Sequence, residues 1–141
     1  MKYVWAYIAT GLAFLVIDLV WLGIVARDFY HGHYGEILAR PFNMTGAVIF
    51  YFLYILGILI FAVAPALQKR SLLHAVTYGG LLGFFCYATY NFTALAVIKD
   101  FPAAAIPVDL AWGTVLTGAT AAGGYLLTVL FFKRPQQTQT P

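Results

Sequence analysis

The sequence predicts an all-α polytopic membrane protein, built from four transmembrane helices in a bundle with short loops. Three observations support this fold class. First, 62% of the 141 residues are hydrophobic and only 9% are charged, whereas a soluble domain carries about 25% charged residues. Second, the chain contains four apolar runs, each long enough for a helix to cross a bilayer. Third, the segments between those runs are too short to form a soluble domain.

Each apolar run is bounded by charged residues or by proline, and the second run is ended by Pro65 and by the polar and charged residues Gln68, Lys69 and Arg70. The runs lie at about residues 4–26, 44–66, 72–98 and 107–132. We assign them to a single transmembrane domain over residues 1–134, and we expect residues 135–141 to form a disordered polar tail. The first run is longer than the hydrophobic region of a secretory signal and contains Asp18, so we interpret it as a retained helix.

The basic residues orient the predicted helices. The side that holds both termini carries five of them: Lys2, Lys69, Arg70, Lys133 and Arg134. The opposite side carries the other three: Arg27, Arg40 and Lys99. Since positive residues are enriched in cytoplasmic loops, we place both termini in the cytoplasm. These scattered residues form no basic stripe, so we expect membrane lipid, and not nucleic acid, to be a partner.

Asp18 is the most informative residue, because it lies near the middle of the first run. A carboxylate at the centre of a membrane helix costs about 2.5–3.5 kcal/mol on insertion scales. Such residues face the bundle interior, pair with other groups and mark functional sites. Trp21 lies on the same helical face. No Lys or Arg lies within any predicted span, so we expect hydrogen bonds, and not an ion pair, at Asp18.

Polar and aromatic residues from the other runs are predicted to lie at the depth of Asp18. With a rise of about 1.5 Å per residue, Asp18 lies about 13 Å and Asn91 about 12 Å below the outer surface. Tyr51 and Tyr54 lie at about 12–16 Å, and Thr117 at about 15 Å. We therefore predict a polar and aromatic pocket in the outer half of the bundle. Its members are Asp18, Trp21, Tyr54, Tyr87, Tyr90, Asn91, Thr93, Asp109, Trp112 and Thr117.

Several of these residues also have an ordinary structural interpretation. Tyrosines and threonines commonly form interhelical hydrogen bonds or interfacial aromatic belts. Asp109 lies near the start of the fourth run, where the helix dipole stabilises a carboxylate. For Asp18 the structural alternative is a hydrogen bond to Tyr90, Asn91 or Tyr54.

A stripe of small and polar residues follows the third run at intervals of three and four positions. It contains Gly80, Gly83, Tyr87, Tyr90, Asn91 and Ala94. Gly79 and Gly83 form a small-xxx-small pair, which permits close contact between helices. We expect that contact to draw the polar end of the stripe into the bundle.

The connection over residues 27–43 has two interpretations. Its larger side chains recur at helical spacing, namely Tyr30, Tyr34, Ile37, Leu38 and Pro41. This pattern favours a short amphipathic helix in the headgroup region. The alternative is a lid over an outward-facing pocket.

We predict no metal and no cofactor for this chain. His31 and His33, even together with Glu36, supply a weaker set than the three or four placed ligands of a zinc site. Cys86 is the only cysteine, which excludes an intrachain disulfide and a multi-cysteine metal site. The sequence contains no nucleophile elbow, which argues against serine hydrolysis.

Three motifs carry a resemblance to a known family. They are Asp18-x-x-Trp21-Leu22, Tyr87-Ala-Thr-Tyr90-Asn91-Phe92-Thr93 and Asp109-x-x-Trp112-Gly113-Thr114. Over nearly its whole length the chain resembles a family of small, uncharacterised bacterial integral-membrane proteins, a domain-of-unknown-function family. The third-helix motif of that family reads Tyr-Asp-x-Thr-Asn, so Asn91 stands here in place of Asp and Ala94 in place of Asn. The resemblance implies a multi-pass protein of the bacterial inner (cytoplasmic) membrane.

Three functions stay open at this point. The leading hypothesis is a small membrane protein that binds or passes a small ligand in an outer-leaflet pocket centred on Asp18. Four helices are few for a transporter, so we expect a homo-oligomer in that case. The second hypothesis is an accessory or structural subunit of a larger membrane complex. The third is a membrane enzyme that uses Asp18 and Tyr90 in acid–base chemistry on a lipid-like or quinone-like substrate.

Overall fold

A computed structural model describes residues 1–25, 32–33 and 43–132. That part of the chain forms four long helices and contains no strand. The first two are α1 (Lys2–Val20, continued by a π-helical turn at Trp21–Val25) and α2 (Met44–Ile58, a π-helical segment at Leu59–Val63, and Ala64–Lys69). The last two are α3 (Leu72–Val97) and, after a 3-10 turn at Ala103–Ala105, α4 (Ile106–Phe132). All four are long and apolar enough to span a membrane, which confirms the predicted fold class.

The helices form an antiparallel bundle in which α4 makes extensive contacts with both α1 and α3. At one end of the bundle, which we call the Trp5 end, Trp5 stacks on Phe131 with ring centroids 4.3 Å apart. At the other, the Trp112 end, Trp21 of α1 stacks on Trp112 of α4. The first and last helices are therefore neighbours along their whole length.

The contact between α3 and α4 is made at the level of the backbone. A Cβ atom added to Gly83 would collide with the carbonyl oxygen of Gly113, and one added to Gly79 would lie 2.7 Å from the Cβ of Ala121. Gly113 in turn leaves space for the ring of Tyr87. The small-xxx-small pair of α3 thus marks a real helix–helix contact, as predicted. Small residues permit this close approach in membranes, where packing replaces the hydrophobic driving force.

Helix α2 changes its neighbour along its length. It passes through Pro65 and continues to Lys69, next to Arg70. Proline has no N–H for the carbonyl one turn earlier, and the π-helical segment immediately before Pro65 accommodates this interruption. Residues Leu59–Val63 contact α3, whereas the preceding residues Met44–Ile58 contact α1 and α4 and make little contact with α3. A cleft therefore separates the first part of α2 from α3.

Local caps explain where the helices begin. The Asn43 side chain accepts a hydrogen bond from the N–H of Gly46 at the start of α2, at 3.0 Å. Ser71 does the same for the N–H of His74 at the start of α3, at 3.2 Å. Such caps satisfy N–H groups that a helix leaves without internal partners.

Two sequence predictions fall outside the described residues. The amphipathic helix or lid expected over residues 27–43 is one of them, apart from Gly32, His33 and Asn43. The polar tail expected over residues 135–141 is the other.

Candidate functional site

Asp18 is buried in the bundle and hydrogen-bonded to α2. Its side chain is 7% exposed, and the hydroxyl of Tyr51 donates to its Oδ2 at 3.0 Å. The sequence placed Asp18 inside the bundle but gave Tyr90, Asn91 or Tyr54 as its partner, and that choice was wrong. Depth can be read from the position of a residue in its run, whereas the direction in which each helix turns its side chains depends on packing.

A second hydrogen bond ties α2 to α4 close to the first. The Tyr54 hydroxyl and the Thr117 Oγ1 lie 2.7 Å apart, and either group can donate. The ring of Phe14 contacts both tyrosines edge-on, at centroid distances of 5.6 Å to Tyr51 and 5.7 Å to Tyr54. Two helices, α1 and α4, therefore meet the first part of α2 through two polar bonds and one aromatic cluster.

The two Asp-x-x-Trp motifs meet in space. The indole rings of Trp21 and Trp112 are nearly parallel, at 8°, with centroids 4.0 Å apart. The indole Nε1 of Trp21 is buried and has no hydrogen-bond partner. Asp109, one turn before Trp112, is 5% exposed. The sequence showed the repeated pattern but not that its two copies would pack against each other.

The predicted stripe on α3 divides into a buried part and an exposed part. Asn91 is fully buried, and Tyr87 is half-buried with its ring against Gly113. Tyr90, by contrast, is 61% exposed and makes an edge contact with the ring of Phe101. Thr93 is exposed as well. The glycine contact draws one side of the helix inward, and these two residues lie beyond the edge of that side.

The cleft between α2 and α3 forms an open groove of about 420 Å³. Its lining residues are Phe50, Tyr54, Cys86, Tyr87 and Tyr90. A second hollow of about 310 Å³ shares Phe50, Tyr54 and Cys86 and reaches deeper along α2 to Phe61. We call these two adjoining hollows the aromatic groove.

The groove contains three members of the predicted pocket, Tyr54, Tyr87 and Tyr90, but not its predicted centre. Asp18 is absent from the lining residues and bonds to Tyr51, three residues from Tyr54. Sequence reasoning missed Phe50 and Cys86. Their spacing held a usable signal, since Phe50 lies four residues before Tyr54, and Cys86 lies four residues before Tyr90.

The chemistry offered by the groove is that of an apolar slot with a few hydroxyl groups. Its walls are aromatic rings and aliphatic chains, and no residue that lines it carries a carboxylate or a basic group. Among the residues that the structure describes, no group of three or more His, Cys, Asp or Glu side chains could hold a metal ion. The arrangement suits binding of an apolar molecule with one polar handle.

Comparison with known proteins places the chain in a family. A family model described as a predicted membrane protein (DUF2177) matches residues 3–126. No curated protein and no solved structure gives a significant match. The four candidate spans and this match over most of the chain agree, and the resemblance seen in the sequence is confirmed at the level of the family. The chain is therefore an integral membrane protein that belongs to the DUF2177 family, whose function is unknown.

Proposed function

We propose that this protein binds a small amphipathic molecule, taken from the surrounding membrane, in the aromatic groove between α2 and α3. The observation that carries the proposal is the groove itself, a space of about 420 Å³ walled by Phe50, Tyr54, Cys86, Tyr87 and Tyr90. Ligand sites are typically about 300–1,000 Å³, mostly apolar, with a few placed polar groups.

The buried polar bonds behind the groove support a structural role for Asp18 in this function. Asp18 accepts from Tyr51, and Tyr54 is tied to Thr117. Both bonds fix the first part of α2 at a distance from α3, because they connect it to α1 and α4. In this view Asp18 is a positioning residue that keeps the groove open, and Tyr54 contacts the ligand directly.

The groove opens toward lipid and toward the exposed ring of Tyr90. An occupant can therefore enter sideways from the bilayer without crossing the bundle. Its apolar part would lie against Phe50 and Phe61, and its polar part would lie near the tyrosines at the Trp112 end. By the charge distribution, we propose that this end faces away from the cytoplasm of a bacterial inner membrane.

The test is to identify molecules that co-purify with the protein and to close the groove. Cys86 lines both hollows, so Cys86→Trp fills them, whereas Cys86→Ser leaves them open as a matched control. We expect mass spectrometry to find one molecular class enriched with wild type and Cys86→Ser over bulk lipid. We expect that enrichment to fall about tenfold in Cys86→Trp, in line with loss of a well-packed contact.

The same experiment separates the alternatives. Equal enrichment in Cys86→Trp and Cys86→Ser would contradict the groove as a ligand site. Recovery of one protein partner in place of a small molecule, lost in Cys86→Trp, would favour the accessory-subunit hypothesis. A molecule recovered in chemically altered form from wild type, but unaltered from Asp18→Asn, would favour the enzyme hypothesis.

A further inference from the structure

More than half of the residues that line the aromatic groove carry aromatic rings. Of the described residues, nine line its two hollows, and five of these are aromatic: Phe50, Tyr54, Phe61, Tyr87 and Tyr90. The rings of Phe50 and Tyr54 are stacked, with centroids 5.3 Å apart and 23° between their planes. The ring of Phe14 contacts Tyr54 edge-on. On α2 the wall of the groove is therefore a joined pair of rings that packs against a third.

An apolar chain alone gains little by moving from the bilayer into this groove. Lipid tails are as apolar as aliphatic side chains, so no hydrophobic driving force favours the transfer. An occupant must instead gain from contacts that lipid tails do not make. Aromatic rings attract each other beyond their buried area, in offset-stacked and in edge-to-face arrangements. The groove therefore favours a flat conjugated ring over a saturated chain.

Phenol hydroxyls at the Trp112 end of the groove can bind a polar substituent of such a ring. Either group can donate in the bond between Tyr54 and Thr117, so Tyr54 can accept from Thr117 and donate to an occupant. Tyr90 is 61% exposed and lines the same hollow. A carbonyl oxygen is an acceptor that suits these O–H donors.

The occupant is expected to be neutral. Among the described residues, those that line the two hollows include no Lys, Arg, His, Asp or Glu. An ionised carboxylate or phosphate in the groove would lose its hydration without gaining a charged partner, which is costly. Fatty acids and phospholipid headgroups therefore suit the groove poorly.

We propose that the ligand of the aromatic groove is a neutral, flat, conjugated ring that bears carbonyl groups and an apolar tail, as in a quinone. This inference rests on the proposed function and names the class of ligand. The ring lies between Tyr54 and Tyr90, and the tail runs along α2 past Gly57 toward Phe61. Phe61 is about 10 Å from Tyr54 along the helix. A Cβ atom at Gly57 would meet nothing within 4 Å, so this path is open.

The test uses Cys86 as a reporter of occupancy, because it is the only cysteine of the chain, is exposed and lines both hollows. The protein in lipid nanodiscs is alkylated with N-ethylmaleimide, and the rate is followed by intact mass. Three probes with the same decyl tail are titrated as mole fractions of lipid: decanol, decylbenzene and a fully substituted decyl-1,4-benzoquinone, which has no ring position free to add a thiol. We expect the quinone to slow alkylation in a saturable manner, at a mole fraction about tenfold lower than either other probe.

Two variants assign the effect to the ring and to its carbonyl groups. Phe50→Leu keeps the groove apolar but removes an aromatic partner, so quinone protection should weaken about fivefold. Phe52→Leu is the matched control, since Phe52 lies on the same helix outside the lining residues and is 65% exposed. Tyr90→Phe keeps the ring and removes an exposed hydroxyl. It should narrow the difference between quinone and decylbenzene about fivefold and keeps the test decisive if Phe50→Leu does not fold.

Equal protection by the quinone and decanol would overturn the inference about the ring and leave the groove as a ligand site. Equal protection by the quinone and decylbenzene would overturn the role of the carbonyl groups. Unchanged quinone protection in both Phe50→Leu and Tyr90→Phe would place the probe outside the groove and overturn the inference. Absence of protection by all three probes would overturn it as well, and the proposed function would then be decided separately by the enrichment measured with Cys86→Trp.

Discussion

Helix α3 meets its two partners in opposite ways. Against α4 it presents glycines, and the two backbones approach so closely that Gly83 has no room for a Cβ atom. Against the first part of α2 it presents Cys86, Tyr87 and Tyr90, and an open groove separates the helices. The difference teaches that side-chain size, more than hydrophobicity, separates a close helix contact from an open groove, because helix association in lipid depends on packing and not on the hydrophobic effect.

The largest expected effect comes from placing the same side chain on the two sides of this comparison. Gly83→Leu forces α3 away from Gly113 and Thr117, and we expect it to lower the free energy of unfolding by about 3 kcal/mol or more. Gly57→Leu is the matched control, since a Cβ atom there meets nothing within 4 Å. Equilibrium unfolding in mixed detergent micelles measures both. Similar costs at Gly83 and Gly57 would contradict the division into tight and open faces.

The next effect concerns the bond that holds α2 beside α1. Tyr51→Phe removes the donor to Asp18 and leaves the carboxyl buried, so we expect a loss of about 1.5–3 kcal/mol, as for hydrogen bonds to charged groups. Tyr7→Phe is the control, because the Tyr7 hydroxyl also bonds to α2, at the backbone oxygen of Phe52, but in an exposed position. A double-mutant cycle with Asp18→Asn isolates the pair. A coupling energy near zero would show that Asp18 does not fix α2.

A smaller effect is expected where α2 is tied to α4. The bond between Tyr54 and Thr117 joins two neutral hydroxyl groups, and such interhelical bonds in membranes average about 0.6 kcal/mol. A double-mutant cycle of Tyr54→Phe and Thr117→Val should return a coupling energy of that size. Thr114→Val serves as the control, because the Thr114 hydroxyl bonds to the Leu110 carbonyl of its own helix. Coupling of similar size between Tyr54 and Thr114 would argue against a specific bond.

The smallest effect is expected at the exposed edge of α3. Thr93 was predicted from the sequence to belong to the pocket, but the structure leaves it exposed. Thr93→Val should therefore change the free energy of unfolding by less than about 0.5 kcal/mol and leave the molecules that co-purify with the protein unchanged. A change in the co-purifying molecules would indicate that the ligand also contacts Thr93, beyond Tyr90.

The fold could be predicted because each span is determined by features of its own stretch of sequence. Run length and charge position are enough to delimit four spans, and Gly79 and Gly83 reveal where α3 approaches another helix. The sequence did not indicate the π-helical segment that lets α2 continue through Pro65. In the site, the depth argument brought Tyr54 and Thr117 to the same level, and the structure joins them.

The sequence did not predict which side chains face each other, because this depends on how each helix is rotated about its axis. Asp18 bonds to Tyr51 instead of to Tyr90, Asn91 or Tyr54, because α1 and α2 turn the Asp18 and Tyr51 side chains toward each other. Tyr90 lies on the same sequence stripe as Asn91, yet one is 61% exposed and the other is fully buried. A rotation of one residue along a helix is 100°, which a depth estimate does not detect.

The seam between α1 and α4 carries all three tryptophans of the protein, Trp5, Trp21 and Trp112. Because this seam joins the first helix to the last, its ring stacks can form only after the fourth helix has been synthesised and inserted. Exciton-coupled circular dichroism from the Trp21–Trp112 pair is therefore a natural optical report of bundle closure. A chain released before its last helix would lack that signal, so co-translational assembly can be followed without any added label.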